Sequence, residues 1–219
     1  MASTLIAVPC LDMMHASFVT SLCNMLSAGG MGRVGLAFEA QSLVYDSRNR
    51  LTAQAIGGGY ERILWLDSDM CFEPDLGQRL AADMDEGRDF VSAVYFRRKL
   101  PTQPVIAKAL DWYEDENGWP VASAEVYDDF PGDSVFQIAG CGFGAVMMRT
   151  ELLSRALEAF KVTPFTPMPN LSEDYACCWR LGKMGVKMWA DSRIPVRHCG
   201  LWMYGREDWE NQKEEKENE

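Results

Sequence analysis

Basic side chains are in short supply: 21 Lys and Arg stand against 32 Asp and Glu, for a formal net charge of −11. A chain so acidic repels phosphate backbones and anionic lipid faces, which argues against nonspecific nucleic-acid or membrane binding. Arg97-Arg98-Lys99, with Arg193 and Arg197, could form a local basic rim. Histidine is scarcer still, with only His15 and His198. No apolar run approaches the ~20 residues of a membrane-spanning helix, and no signal-like apolar core opens the chain, so a soluble, cytoplasmic protein is expected. No C-x-x-C pair occurs among the seven cysteines, and Cys177 and Cys178 are adjacent. That arrangement suits neither a disulfide framework nor a structural zinc site. Most cysteines lie in apolar runs and read as small buried hydrophobes.

What remains is ordinary globular material, with 47% hydrophobic residues in a chain of 219. Such a chain fits one α/β domain, here residues 1–205, followed by a charged tail over 206–219. Thr4–Val8, Val34–Phe38, Arg62–Leu66 and Phe90–Tyr95 read as strands. Helices are expected over His15–Leu26, over Arg48–Ile56 behind a Ser47 cap, and after Pro74, where Leu76, Leu80 and Met84 share a face. Strand and helix alternate, as in a mostly parallel sheet flanked by helices. Residues 96–134 lack a clear period and are expected to be long loops with short edge strands. Val135–Ile138 and Ala145–Met148 flank a glycine-rich segment, a helix spans Thr150–Phe160, and another follows Ser172 before a strand at Val186–Ala190.

Asp67-Ser68-Asp69 follows the apolar strand directly. Ligands of parallel α/β sheets sit beyond the carboxyl ends of the strands, where this turn falls. Two carboxylates one residue apart can reach a hard cation and a ribose hydroxyl. An acidic turn satisfied by its own backbone is the competing reading. Glu173-Asp174 opens a helix, a position acidic residues favour for the helix dipole alone. Asp174, Cys177, Leu181 and Met184 share one stripe, however, so Asp174 points inward, as a general base does.

The segments "DSRNRL", "ILWLDSDMCFEPDL", "GCGFGAVMMRTELL" and "EDYACCWRLGKMGVKMWADSRIPVRHCG" occur in this order over most of residues 4–202. In that order they resemble GT-A-fold (Rossmann-like) glycosyltransferases, most of all small family-2-type enzymes, including phage-encoded ones. The resemblance implies a metal-dependent transfer of a sugar from a nucleotide-sugar, a UDP-sugar being favoured, to a hydroxyl acceptor, with inversion favoured over retention, both of which such folds support. The acceptor would be a glycan, a protein or a modified DNA base, and the setting a host cytoplasm if the chain is phage-encoded. It also implies roles: Asp67 toward ribose or metal, with Ser68 beside it, and Asp69 and His198 on Mn2+ or Mg2+. Asp174, with Glu173, would supply the base. Pro9, Cys10 and Glu39 would border the nucleoside.

Arg48, expected in a first helical turn, would add a phosphate or nucleobase contact to the helix amides, unless it forms a surface salt bridge. Gly140 and Gly142 either let sugar or acceptor approach the backbone or form a bulge between strands. Trp202 and Tyr204 either stack on an acceptor or pack in the core. Two further functions stay open. One is a haloacid-dehalogenase-like phosphatase, although Cys71 stands where those enzymes carry Thr or Val. The other is a noncatalytic nucleotide-sugar-binding module.

Overall fold

The computed structural model describes residues 2–40, 43–200 and 203–217. The first half alternates strand and helix: β1 (Ser3–Cys10), α1 (Ala16–Ala28), β2 (Arg33–Ala40), α2 (Val44–Gly57), β3 (Arg62–Leu66), β4 (Met70–Phe72), α3 (Leu76–Asp85) and β5 (Phe90–Ala93). Then follow β6 (Ile106–Glu114), β7 (Pro120–Val126), β8 (Val135–Ile138), β9 (Gly140–Cys141), β10 (Ala145–Arg149), α4 (Thr150–Phe160), α5 (Glu173–Lys183), β11 (Met188–Asp191), β12 (Val196–Cys199), β13 (Met203–Tyr204) and α6 (Arg206–Glu217).

The central sheet has seven strands in the order β2-β1-β3-β10-β5-β11-β8. Five of them run one way, and only β10 and β8 are reversed. The sheet is therefore mostly parallel, with helices on both faces. Its inner strands β1, β3, β5 and β10 are largely apolar because both faces are covered, while the edge strand β2 is mostly exposed. The period of two divides them cleanly. Leu5, Ala7, Ile63 and Trp65 pack with Leu51 of α2, Leu153 of α4 and Leu181 of α5. Ile6, Val8, Leu64 and Leu66 face the other way, onto Phe18 of α1 and Leu80 of α3.

Three expectations change. The segment expected to be long loops with short edge strands instead contains two strands of nine and seven residues, β6 and β7, paired antiparallel. Both are largely solvent-facing, so neither carries the apolar alternation of a half-buried strand. Asp115 Oδ1 accepts the Asn117 and Trp119 backbone N–H groups and closes their turn. Helix α2 begins at Val44, so Ser47 lies inside its first turn, buried, and is not its cap. The charged segment from Arg206 is helical and anchored rather than merely solvated. Its one aromatic residue, Trp209, is buried, stacked on Phe130 at 5.0 Å between ring centroids and tilted against Phe96 at 5.7 Å.

Candidate active site

A cleft of ≈ 500 Å³ opens beyond the carboxyl ends of β1 and β3. Strand β1 delivers Pro9 and Cys10, and β3 delivers Asp67, Ser68 and Asp69. The turn after β3 is pinned on three sides. The Asp67 N–H donates to Gly144 O (3.2 Å), Met70 N–H to Asp67 O (3.2 Å), and Cys199 N–H to Asp69 O (2.7 Å). The last bond brings β12, and with it His198, to the acidic turn. Helix α5 starts at the same cleft, so Glu173 and Asp174 line it too.

Arg48 organises this wall. It sits in the second turn of α2, with its side chain 1% exposed, so it runs inward and does not join the helix amides in an anion site as expected. Its guanidinium bonds Asp67 Oδ1 at 3.0 Å, lies 3.1 Å from Asp174 Oδ1 and 3.9 Å from Glu173 Oε1. Phe143, Trp65 and Phe165 surround it, with its central carbon 5.5, 5.7 and 5.8 Å from their rings. Burial alone would make the guanidinium easier to deprotonate. Asp174, Asp67 and Glu173 outweigh that effect and hold it firmly charged. A buried cation with three carboxylates beside it satisfies the rule that interior charges are paired.

Asp174 is correspondingly shifted. Burial pushes its carboxyl up to about 7, and Glu173 and Asp67 push the same way against the pull of Arg48 and of the Phe143 N–H, which donates to Oδ2 at 3.2 Å. A carboxyl poised near neutrality can take a proton and release it again at ordinary pH.

Asp69 goes the other way. Burial would raise its pKa, but a hydrogen bond from His198 and the charges of His198 and Arg98 hold it below the ordinary value. Its Oδ2 lies 2.7 Å from Arg98 Nη1 and 3.3 Å from His198 Nε2. The other ring nitrogen, Nδ1, lies 3.0 Å from the Phe96 carbonyl oxygen. A carbonyl can only accept, so Nδ1 carries a hydrogen and the ring orientation is fixed from behind, as metal-ligating histidines are held.

Among the described residues no group of three His, Cys, Asp or Glu side chains is arranged to hold a metal unaided. The cleft offers instead one oxygen and one imidazole, Asp69 and His198, facing each other, while Asp67 is turned to Arg48. That pair fits Mn2+ or Mg2+ bound in the usual way for phosphate ligands, with one or two protein groups and the remaining positions filled by phosphate oxygens and water. The mixed O and N donors suit manganese in particular.

The other candidates lie elsewhere. Glu39 stands opposite Pro9 in the β1–β2 register and is engaged by Gln54 (3.2 Å) and Arg50 (3.7 Å), outside the cleft lining. Gly140 and Gly142 do not open on the cleft either. A Cβ at Gly140 would press on Cys178, Leu110 and Tyr175 at 3.2 Å, and one at Gly142 would collide with the Tyr95 hydroxyl. Close protein packing, and not ligand approach, accounts for both. Trp202 lies outside the described residues, while Tyr204 pairs with His198 across β12–β13. Arg98 of the basic cluster lines the cleft, and so do the exposed apolar residues Leu11, Leu43 and Val44. Exposed apolar side chains beside an acidic site were the available signal for that rim.

Neither a protein-family model nor a curated protein sequence matches this chain. Among solved structures it is similar to A197 from STIV, at 16% identity and a TM-score of 0.59, over 90% of this chain and 85% of that one. At that identity the likeness is one of fold.

Proposed function

We propose that this protein is a glycosyltransferase of GT-A type, using a nucleotide-sugar, a UDP-sugar by preference, and a hydroxyl-bearing acceptor. The observation that carries the reading is convergence. Asp67-Ser68-Asp69, His198 and Glu173-Asp174, far apart in sequence, line one cleft at the carboxyl ends of the strands. The cleft also has room for a ligand of nucleotide-sugar size.

In this reading Asp69 and His198 would hold Mn2+ or Mg2+, which would supply positive charge to offset the negative charge developing on a departing nucleoside diphosphate. Asp67, fixed by Arg48, presents its carboxylate to the ribose, with Pro9 and Cys10 along the nucleoside. Asp174 accepts the acceptor's hydroxyl proton as that oxygen attacks the anomeric carbon from the opposite side, which inverts the configuration. Arg48 favours the ionised form of this base. Arg98 is placed to contact phosphate once the donor draws it from Asp69.

A phosphatase using Asp67 as nucleophile is less well supported. That carboxylate is hydrogen-bonded to a buried guanidinium, which lowers its nucleophilicity. Calorimetric titration with uridine and guanosine diphosphates, with and without Mn2+, tests the proposal. Binding of one nucleotide should depend on Mn2+ and weaken at least about tenfold in Asp69→Ala, as loss of one metal ligand does. Absence of binding by either nucleotide with any divalent metal would remove the basis for the reading.

A further inference from the structure

Cys71 and Cys199 take no part in the proposed chemistry, yet their sulfurs are 2.8 Å apart. The two residues lie 128 positions apart in sequence. They sit diagonally across the antiparallel pair β4–β12, where Cys71 faces Arg197 and the Cys199 N–H bonds Asp69 O. A disulfide sulfur pair is separated by about 2.05 Å, so closure requires less than about 1 Å of approach. The alternative partner for two thiols is a metal. Two thiolates on one tetrahedral zinc, each with a Zn–S distance of about 2.3 Å, sit roughly 3.7 Å apart, which is wider than this pair. Cys71 is partly exposed and Cys199 is 2% exposed, so Cys71 is the more accessible of the two.

We infer that Cys71 and Cys199 are a site of reversible disulfide formation, a crosslink between β4, which follows the Asp67–Asp69 turn, and β12, which carries His198. The oxidant class is a small-molecule disulfide such as oxidised glutathione. The Cys71 sulfur attacks one glutathione sulfur, the glutathione S–S bond breaks, and the Cys71 proton leaves with the first glutathione thiol. The Cys199 sulfur then attacks the Cys71 sulfur of the mixed disulfide and expels the second glutathione, which takes the Cys199 proton. Two electrons pass from the protein thiols to the oxidised glutathione, giving one protein disulfide and two glutathione thiols. The crosslink closes a long loop, so it restricts the unfolded chain strongly.

The whole protein, incubated with oxidised or with reduced glutathione, alkylated and digested, should answer this by mass spectrometry. The oxidised sample should contain the Cys71 peptide joined to the Cys199 peptide, lost on treatment with dithiothreitol. Its melting temperature should rise by about 10 °C, which follows from the loop length and chain size. In Cys199→Ser the reaction should halt at Cys71 bearing one glutathione. Should that variant fail to fold, crosslink mapping on the unaltered protein decides alone. Full alkylation of both cysteines after oxidation, arrest at a Cys71–glutathione adduct in the unaltered protein, or pairing of either with another cysteine would overturn the inference. None of these readouts depends on sugar transfer.

Discussion

Asp174→Asn is expected to abolish the proposed sugar transfer and, at alkaline pH, to make the protein harder to unfold. The native carboxyl has a pKa of about 7 against an ordinary value of 3.8, chiefly because it is buried. A carboxyl whose pKa is raised by folding holds its proton more tightly in the native state than in the unfolded one. Stability therefore falls as pH rises through the window from near 4 to near 7, and the whole penalty is present above it. Integrating the linkage relation between those two values gives roughly 2–3 kcal/mol lost between pH 5 and pH 8. For a chain of this size each kcal/mol moves the melting temperature by roughly 2–4 °C. Asparagine cannot ionise, so the melting temperature of Asp174→Asn relative to the unaltered protein should improve by roughly 5–10 °C from pH 5 to pH 8. Scanning fluorimetry of both proteins across that range measures the difference directly. Asp83, whose carboxyl is raised to about 6 mainly by burial, titrates in the same window but cancels in the comparison. A difference that stays flat with pH would refute the assignment of a buried, proton-holding carboxyl at 174, and with it the physical case for the base.

Arg48→Ala should be destabilising, by roughly 2–4 kcal/mol, because it leaves three partly buried carboxylates without their buried cation. Arg48→Lys should retain the fold but slow transfer, since one ammonium cannot span Asp67 and Asp174 as the fork does. Denaturant melts together with transfer rates for the two variants check this. Equal stability in Arg48→Ala and the unaltered protein would contradict it. Trp209→Ala should release α6 at a cost of roughly 2–4 kcal/mol, near the low end for large-to-small changes at an aromatic cluster. Limited proteolysis should then cut near residue 206, and unchanged protection would show that the other α6 contacts suffice.

The sequence carried much of the scaffold in plain view. Arg62–Leu66 is a strand as expected, because four consecutive apolar residues, Ile63 to Leu66, buried on both faces leave little other choice. Thr150–Phe160 is a helix with the expected bounds, its Leu152, Leu153 and Ala156 stripe set at helical spacing. Direction was less legible. Ala145–Met148 reads as a strand either way round, and only its neighbours β3 and β5 make it antiparallel. The site divides similarly. Asp67, Asp69, Glu173, Asp174 and His198 are all brought to the cleft, since strand ends and helix starts locate them. The inward course of Arg48 was hidden, because an arginine in a polar stretch ordinarily lies at the surface. Its interior position depends on three carboxylates and three aromatic rings contributed by distant segments.

That one guanidinium has an evolutionary consequence. Asp67 and Asp174, assigned to donor and acceptor in the proposed reading, share a single counter-charge, so neither can be altered without changing the field at the other. Lineages that shift donor preference through the acidic turn would have to readjust the α5 carboxylates in the same step. Adaptation at this cleft should therefore proceed by linked substitutions, with many single changes acting as dead ends.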